Sequence, residues 1–314
     1  MAPLSRTRRK LYLAALVAVF AVMTPILIGY AQGYRLSDLG DAFKLIRTGG
    51  IYVGVGESGV TVSVDEDERE TTSFISRNAL VQNLFSGSYR VAVSKPGYQT
   101  WEKTLQVYPE LVTEWRPALL PEPVPVAAIL KTLPAEPVAT GTPVAKPSPN
   151  PRYAEVVALF APATATKATS TKAVAVDSAR LSVVAALAEA GRRDLEKEPT
   201  LKVLGGVGAW LRGGTLRFAW LGDPEATPHY LCSPDGCVDE SVVSLPNPVL
   251  WFDFALGRSD IFAVTTKTGL WLVEADGRGG RNATLLKAGA GLEARVADSV
   301  IYVRQGAEYW EIRL

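Results

Sequence analysis

Histidine is almost missing from this chain: His229 is the only one in 314 residues. A Ser-His-Asp hydrolase needs an imidazole set between a nucleophile and an acid, and nothing in the sequence gives His229 such neighbours. Cysteine is as scarce, with Cys232 and Cys237 alone. A structural zinc site takes four ligands, and these two thiols with His229 make three at most. The glycine-rich pieces at 205–208 and 277–280 lack the Gly-Lys-Ser/Thr ending of a phosphate loop and read as turns. The acidic run Asp65, Glu66, Asp67, Glu68 and Glu70 lacks the central glycine and closing acid of a calcium loop. It reads as the solvated tip of a hairpin. No catalytic residue, metal or cofactor is expected.

A basic surface is missing too. The formal net charge is +1, but four of the 33 basic groups stand in the first ten residues. The other 29 face 32 acids, a balance of −3. No basic block remains to hold a phosphate backbone, so nucleic acid is not an expected partner.

What is present begins with Arg6, Arg8, Arg9 and Lys10, followed by an uncharged run at 11–34. About 20 helical residues cross a hydrocarbon layer of about 30 Å. The run therefore predicts a transmembrane helix at 11–34, with the lipid bilayer as its partner. Short segments rich in Lys and Arg stay in the cytoplasm. Residues 1–10 are thus expected inside, and the bulk of the chain outside the cytoplasmic membrane. A cleaved signal peptide is the alternative, since Gly29 and Ala31 are small residues at a cleavage-like spacing.

Cys232 and Cys237 flank Ser233-Pro234-Asp235-Gly236, a turn sequence with strand-like residues on both sides. Cysteines facing each other across a hairpin come within disulfide distance, and an extracytoplasmic compartment permits the bond. Two free buried thiols are the alternative.

Residues 35–48 form a juxtamembrane spacer in which Leu36, Leu39, Phe43 and Ile46 fall near helical spacing. From 49 to 120 the period becomes two. Ile51, Val53 and Val55 alternate, as do Val60, Val62 and Val64, and then Tyr89, Val91 and Val93. Turn chemistry separates these runs, which predicts a small all-β sandwich. Tyr89, Val91 and Val93 share one face and are expected in its core, while Gly87 and Gly97 supply backbone freedom at turns.

The segment running from Leu84 through Gly87, Tyr89, Val91, Val93, Lys95 and Gly97 to Tyr98 reads L-x-x-G-x-Y-x-V-x-V-x-K-x-G-Y. It resembles the PEGA domain, a small bacterial and archaeal extracytoplasmic module. The resemblance is specific over about 15 residues and looser over 49–120, and it implies a β-sandwich held outside the cytoplasm.

Nine prolines between 121 and 151 predict an extended, semi-rigid linker. From 152 to 314 short strands recur, the first expected over Tyr153–Phe160 and another over Lys172–Val176. One alanine-rich helix is expected over Leu181–Lys197. Phe252–Glu274 and Arg295–Ile312 share one meander pattern. Repeated short meanders mark propeller blades. The length fits about three blades, which predicts a partial or degenerate propeller-like domain.

The expected function is a non-catalytic scaffold or interaction module of the prokaryotic cell envelope, binding an envelope protein or glycan. An envelope-glycan or surface-layer receptor is the second reading, and a wall hydrolase the third. Tryptophan is dense in the C-terminal part, at 210, 220, 251, 271 and 310. Most of these rings are expected in the core, with a few free to line a binding face.

Overall fold

Residues 11–31 of the uncharged run lie in helix α1, Arg6–Ala31, which buries none of its side chains; the run's last three residues lie beyond the helix. Its 26 residues reach about 39 Å, long and apolar enough to cross a membrane. The computed structural model describes residues 6–38, 43–73, 75–133, 148–161, 187 and 191–314. The described chain is mainly β. It divides into Met1–Pro96 with Thr100–Pro117, and Gly97–Gln99 with Ala118–Leu314.

In the first unit, Gly33 follows α1 with a φ of +82°, which stops the helix. The spacer, whose spacing allowed a turn or two of helix, is a hairpin of β1, Tyr34–Asp38, and β2, Phe43–Arg47. Its return is pinned where Thr48 donates to the Gly33 carbonyl from both its N–H (3.0 Å) and its hydroxyl (2.9 Å). The backbone ladder that sets Leu36 opposite Leu45 and Arg35 opposite Ile46 replaces the weak helical spacing.

Seven further strands follow: β3 Gly49–Val53, β4 Thr61–Val64, β5 Asp67–Thr71, β6 Ala79–Leu84, β7 Gly87–Ser94, β8 Trp101–Val107 and β9 Val112–Trp115. They form one sheet in the order β5-β4-β7-β8 and another in the order β6-β3-β9, with β3 and β9 parallel. Ile51, Val53, Val62, Val64, Val91, Val93, Leu105 and Val107 are buried, which the period-two pattern predicts. Asp65 and Glu66 turn the β4–β5 hairpin at positive φ, while Asp67, Glu68 and Glu70 of the acidic run lie on β5. Lys103 also points inward, between Trp101 and Leu105 on β8. Its ammonium sits 3.8 Å from the centre of the Trp115 ring, and that ring lies 5.6 Å from Trp101.

The second unit contains β10 Val126–Ala128, β11 Thr132–Leu133, β12 Ser148–Pro149, helix α2 Pro151–Leu159, β13 Lys202–Leu204, β14 Val207–Arg212 and β15 Thr215–Trp220. After these come β16 Cys232–Ser233, β17 Gly236–Cys237, β18 Ser241–Val243, β19 Trp251–Phe254, β20 Ile261–Thr265, β21 Gly269–Glu274 and β22 Ala283–Ala288. The last three are β23 Glu293–Ala297, β24 Val300–Gln305 and β25 Glu308–Arg313. Three four-stranded sheets result, ordered β13-β14-β15-β18, β19-β20-β21-β22 and β10-β25-β24-β23.

The second sheet is the middle layer. Phe262, Val264 and Val273 pack toward Val207, Leu216 and Phe218 of the first sheet. Ile261, Ala263, Leu270 and Leu272 pack toward Ile301, Val303 and Ile312 of the third. Burial on both faces is why β20 reads as an unbroken apolar run and not as an alternation.

Both outer faces are covered. Leu187 and Leu195 lie with Trp210 and Ala219 on the first sheet. Helix α2 lies on the third, with Tyr153, Val156, Val157 and Phe160 around Tyr309. Among the described residues no closed barrel or propeller forms.

Two expectations need correction here, and a third lies outside the described residues. Tyr153–Phe160 is helix and not strand: Asn150 accepts from the Arg152 N–H at 3.1 Å and Pro151 takes the first turn. The linker expected over 121–151 is not free in its described first part. Val126–Ala128 pairs with Trp310–Ile312, and Ile129 is buried. The stretch 126–129 contains no proline, so its backbone donors can complete the edge of β25. The expected strand Lys172–Val176 lies outside the described residues, as does most of Leu181–Lys197; Arg193–Lys197 forms a 3-10 turn.

Candidate binding cleft

A cleft of about 570 Å³ opens beside the first sheet of the second unit. Its wall is Trp220, the last residue of β15. A Cβ on Gly206 would stand 2.5 Å from the indole ring, and one on Gly222 would stand 2.4 Å from it. Two glycines thus let the ring lie directly against backbone. Its only polar atom, Nε1, donates to the Asp223 carbonyl at 2.7 Å. The indole is therefore fixed, and it meets the cleft as an apolar surface.

The loop that follows is held by short-range chemistry. Asp223 caps the 3-10 turn Pro224–Ala226 by accepting from the Glu225 N–H at 3.0 Å. Thr227 Oγ1 donates to the Pro224 carbonyl at 2.7 Å. A second 3-10 turn, His229–Leu231, buries Leu231 and carries the half-buried His229 edge-on against Tyr230. The β16–β17 hairpin then closes with Cys232 opposite Cys237 and a disulfide between them. Val238, exposed at 53%, leads back along the cleft through Asp239 to Glu240.

Charge in the cleft is balanced internally. Glu240 Oε1 accepts from Arg217 at 2.6 Å and Oε2 from Arg192 at 3.2 Å. The Arg192 guanidinium also lies 5.6 Å from the Trp210 ring centre. Asp239 is exposed at the rim. Behind this loop Tyr230 packs against the core shared by the first two sheets. Burial first, and the Asp260 carboxylate second, push its phenol above the usual range.

Of the residues singled out in sequence, Cys232 and Cys237 belong to this loop, and Cys237 lines the cleft. The residues of the L-x-x-G-x-Y segment build other structure. Leu84, Val91 and Val93 are buried, while Tyr89 is half-buried and donates its hydroxyl to the Phe85 carbonyl at 3.0 Å. Tyr89 was expected in the core; it stands near the open end of its strand, where the hydroxyl finds a backbone partner. Gly87 begins β7 without a positive φ, so only Gly97, at +80°, uses glycine's freedom. Lys95 pairs with Glu57. Tyr98 bridges to Pro121 within the second unit.

Arg192, Asp239 and Glu240 were not singled out in sequence, because they meet only through the fold. The readable signal was Trp220 with glycines at 206 and 222. Among the described residues no group of three His, Cys, Asp or Glu side chains gathers as for a metal. No protein-family model matches the chain, and no curated protein matches it.

Proposed function

We propose that this chain is a single-pass membrane protein of the prokaryotic cell envelope, N-terminus inside, whose two β units work outside the cytoplasm as a non-catalytic binding scaffold. The observation that carries the reading is α1. It exposes apolar side chains all round, opens on four basic residues, and joins the first β unit through Gly33 and Thr48 with no long tether. The L-x-x-G-x-Y-x-V-x-V-x-K-x-G-Y segment supports a PEGA-like sandwich in that unit.

The three meandering sheets support a partial, propeller-like reading of the second unit. The third sheet takes its outer strand, β10, from far upstream in the chain, as a ring closure would. Covers on the two outer faces, like the caps of a repeat stack, remove the need for further blades.

The test is membrane fractionation of the full chain beside a variant lacking residues 6–31. The full chain resists alkaline carbonate extraction, and the variant is soluble. Full-length chain released by carbonate defeats the anchor. Incubation with purified cell wall separates the modes of action: retention without product supports binding, whereas soluble wall fragments would establish a hydrolase. The cleft favours the second reading, a glycan receptor.

A further inference from the structure

The cleft beside Trp220 has a definite chemistry. It falls in the size range of small-molecule sites, about 300–1,000 Å³, at about 570 Å³. One wall is an indole whose N–H is already used, leaving an apolar ring face. Around it stand Thr227, Asp239 and Arg192, a hydroxyl, a carboxylate and a guanidinium. These offer hydrogen bonds of both senses.

The balance of charge narrows the class. Arg192 and Arg217 share Glu240, and Asp239 adds a further negative charge. No positive excess is left to hold a phosphate or sulfate. The β18 edge offers little to a peptide added as a strand: it is three residues long, and Arg281 Nη2 already donates to the Val242 carbonyl at 2.9 Å. What fits is a neutral ligand with an apolar ring face and a rim of hydroxyls. The site is also built in advance: two glycines and the Asp223 carbonyl fix the indole, and the disulfide fixes the opposite loop.

We propose that this cleft is a saccharide subsite, taking one or two neutral sugar rings, with Trp220 stacking on a ring face, Asp239 accepting hydroxyl protons and Arg192 donating to ring or hydroxyl oxygens. The proposal rests on the binding reading above and names its ligand class.

The experiment uses the full chain in lipid nanodiscs, free of sugar-based detergents. Maltotriose, cellotriose and tri-N-acetylchitotriose are titrated by calorimetry and by tryptophan fluorescence. A sulfated oligosaccharide and a decaproline peptide are titrated alongside. At least one neutral trisaccharide binds saturably, and Trp220→Ala weakens it roughly tenfold or more. Val238→Arg, at an exposed position, blocks the cleft without disturbing the core and abolishes the signal. It keeps the test valid if Trp220→Ala unfolds.

The proposal is overturned if no neutral trisaccharide binds up to about 10 mM, or if binding survives Val238→Arg unchanged. It is overturned equally if only the sulfated sugar or the peptide binds. Carbonate extraction of the same preparation reports the anchor without any ligand, so failure of the subsite is distinguishable from failure of the membrane reading.

Discussion

Arg281 donates from Nη2 to the carbonyl of Val242, 2.9 Å away and 39 residues earlier in the chain. The same guanidinium donates to the carbonyls of Glu274, at 2.6 Å, and Ala275. One side chain thus ties the edge of the first sheet to the end of β21 in the second. Gly277 leaves the space for it, since a Cβ there would stand 2.9 Å from Nη2. Burial pulls this guanidinium below its usual pKa, against the pull of Asp276 and Glu274.

Arg281→Met keeps the aliphatic stem but orphans three carbonyls. It should cost about 2–3 kcal/mol in chemical denaturation of the second unit. Arg281→Lys restores one donor and should recover only part of the loss. Equal stability of wild type and Arg281→Met would show that the strut carries no load.

Gly222→Ala should destabilise by about 1–3 kcal/mol through collision with the Trp220 ring, 2.4 Å from the new Cβ. In a Trp220→Ala background the obstacle is gone, so the same change should be nearly neutral. Gly206→Ala should remain costly in both backgrounds, because its φ is +80°. A double-mutant cycle in urea measures the coupling. Additive effects of Gly222→Ala and Trp220→Ala would mean the ring does not lie against this glycine.

Tyr230 predicts an alkaline limit. Its folded phenol holds its proton more tightly than an unfolded one, whose pKa is about 10. The stabilisation is fully present below about pH 10 and is lost as pH rises from there toward the raised folded value. Unfolding of the second unit followed from pH 8 to 12 should steepen above about pH 10, and Tyr230→Phe should flatten that arm. An identical profile for the two proteins would place the loss elsewhere.

Val91 is fully buried on β7. Val91→Asp buries an unpaired carboxylate and should cost several kcal/mol, a large part of what a small β unit has. The near-ultraviolet signal of Trp101 and Trp115 in the core of that unit reports the collapse. A spectrum unchanged by the substitution would put Val91 on the other face.

Much of the β architecture was readable because half-buried strands alternate. Val60, Val62, Val64, Val91 and Val93 were legible for that reason, and all are buried. Helix α2 was equally legible and was misread. Tyr153, Val156, Val157 and Phe160 follow helical spacing after an Asn-Pro start, yet the short apolar run looks like a strand. The role of β10 was not legible: Val126 pairs with Ile312 at the far end of the chain, and no local pattern announces such a partner. Lys103 hides in an alternation that predicts an apolar residue, and its ammonium lies over the Trp115 ring, a partner no local pattern announces. The cleft was legible only as one tryptophan among several. Arg192, Asp239 and Glu240 meet it through loops that no period encodes.

The central claim is that α1 crosses the membrane with its basic end inside and the β units outside. Protease added to intact spheroplasts, followed by peptide mass spectrometry, tests it most directly. The account predicts that peptides from residue 35 onward are lost, while a membrane-embedded peptide spanning Arg6–Ala31 stays intact with its basic residues. Cleavage at Arg6–Lys10 with the β units left whole, or an N-terminal peptide missing from the mature chain, would contradict it.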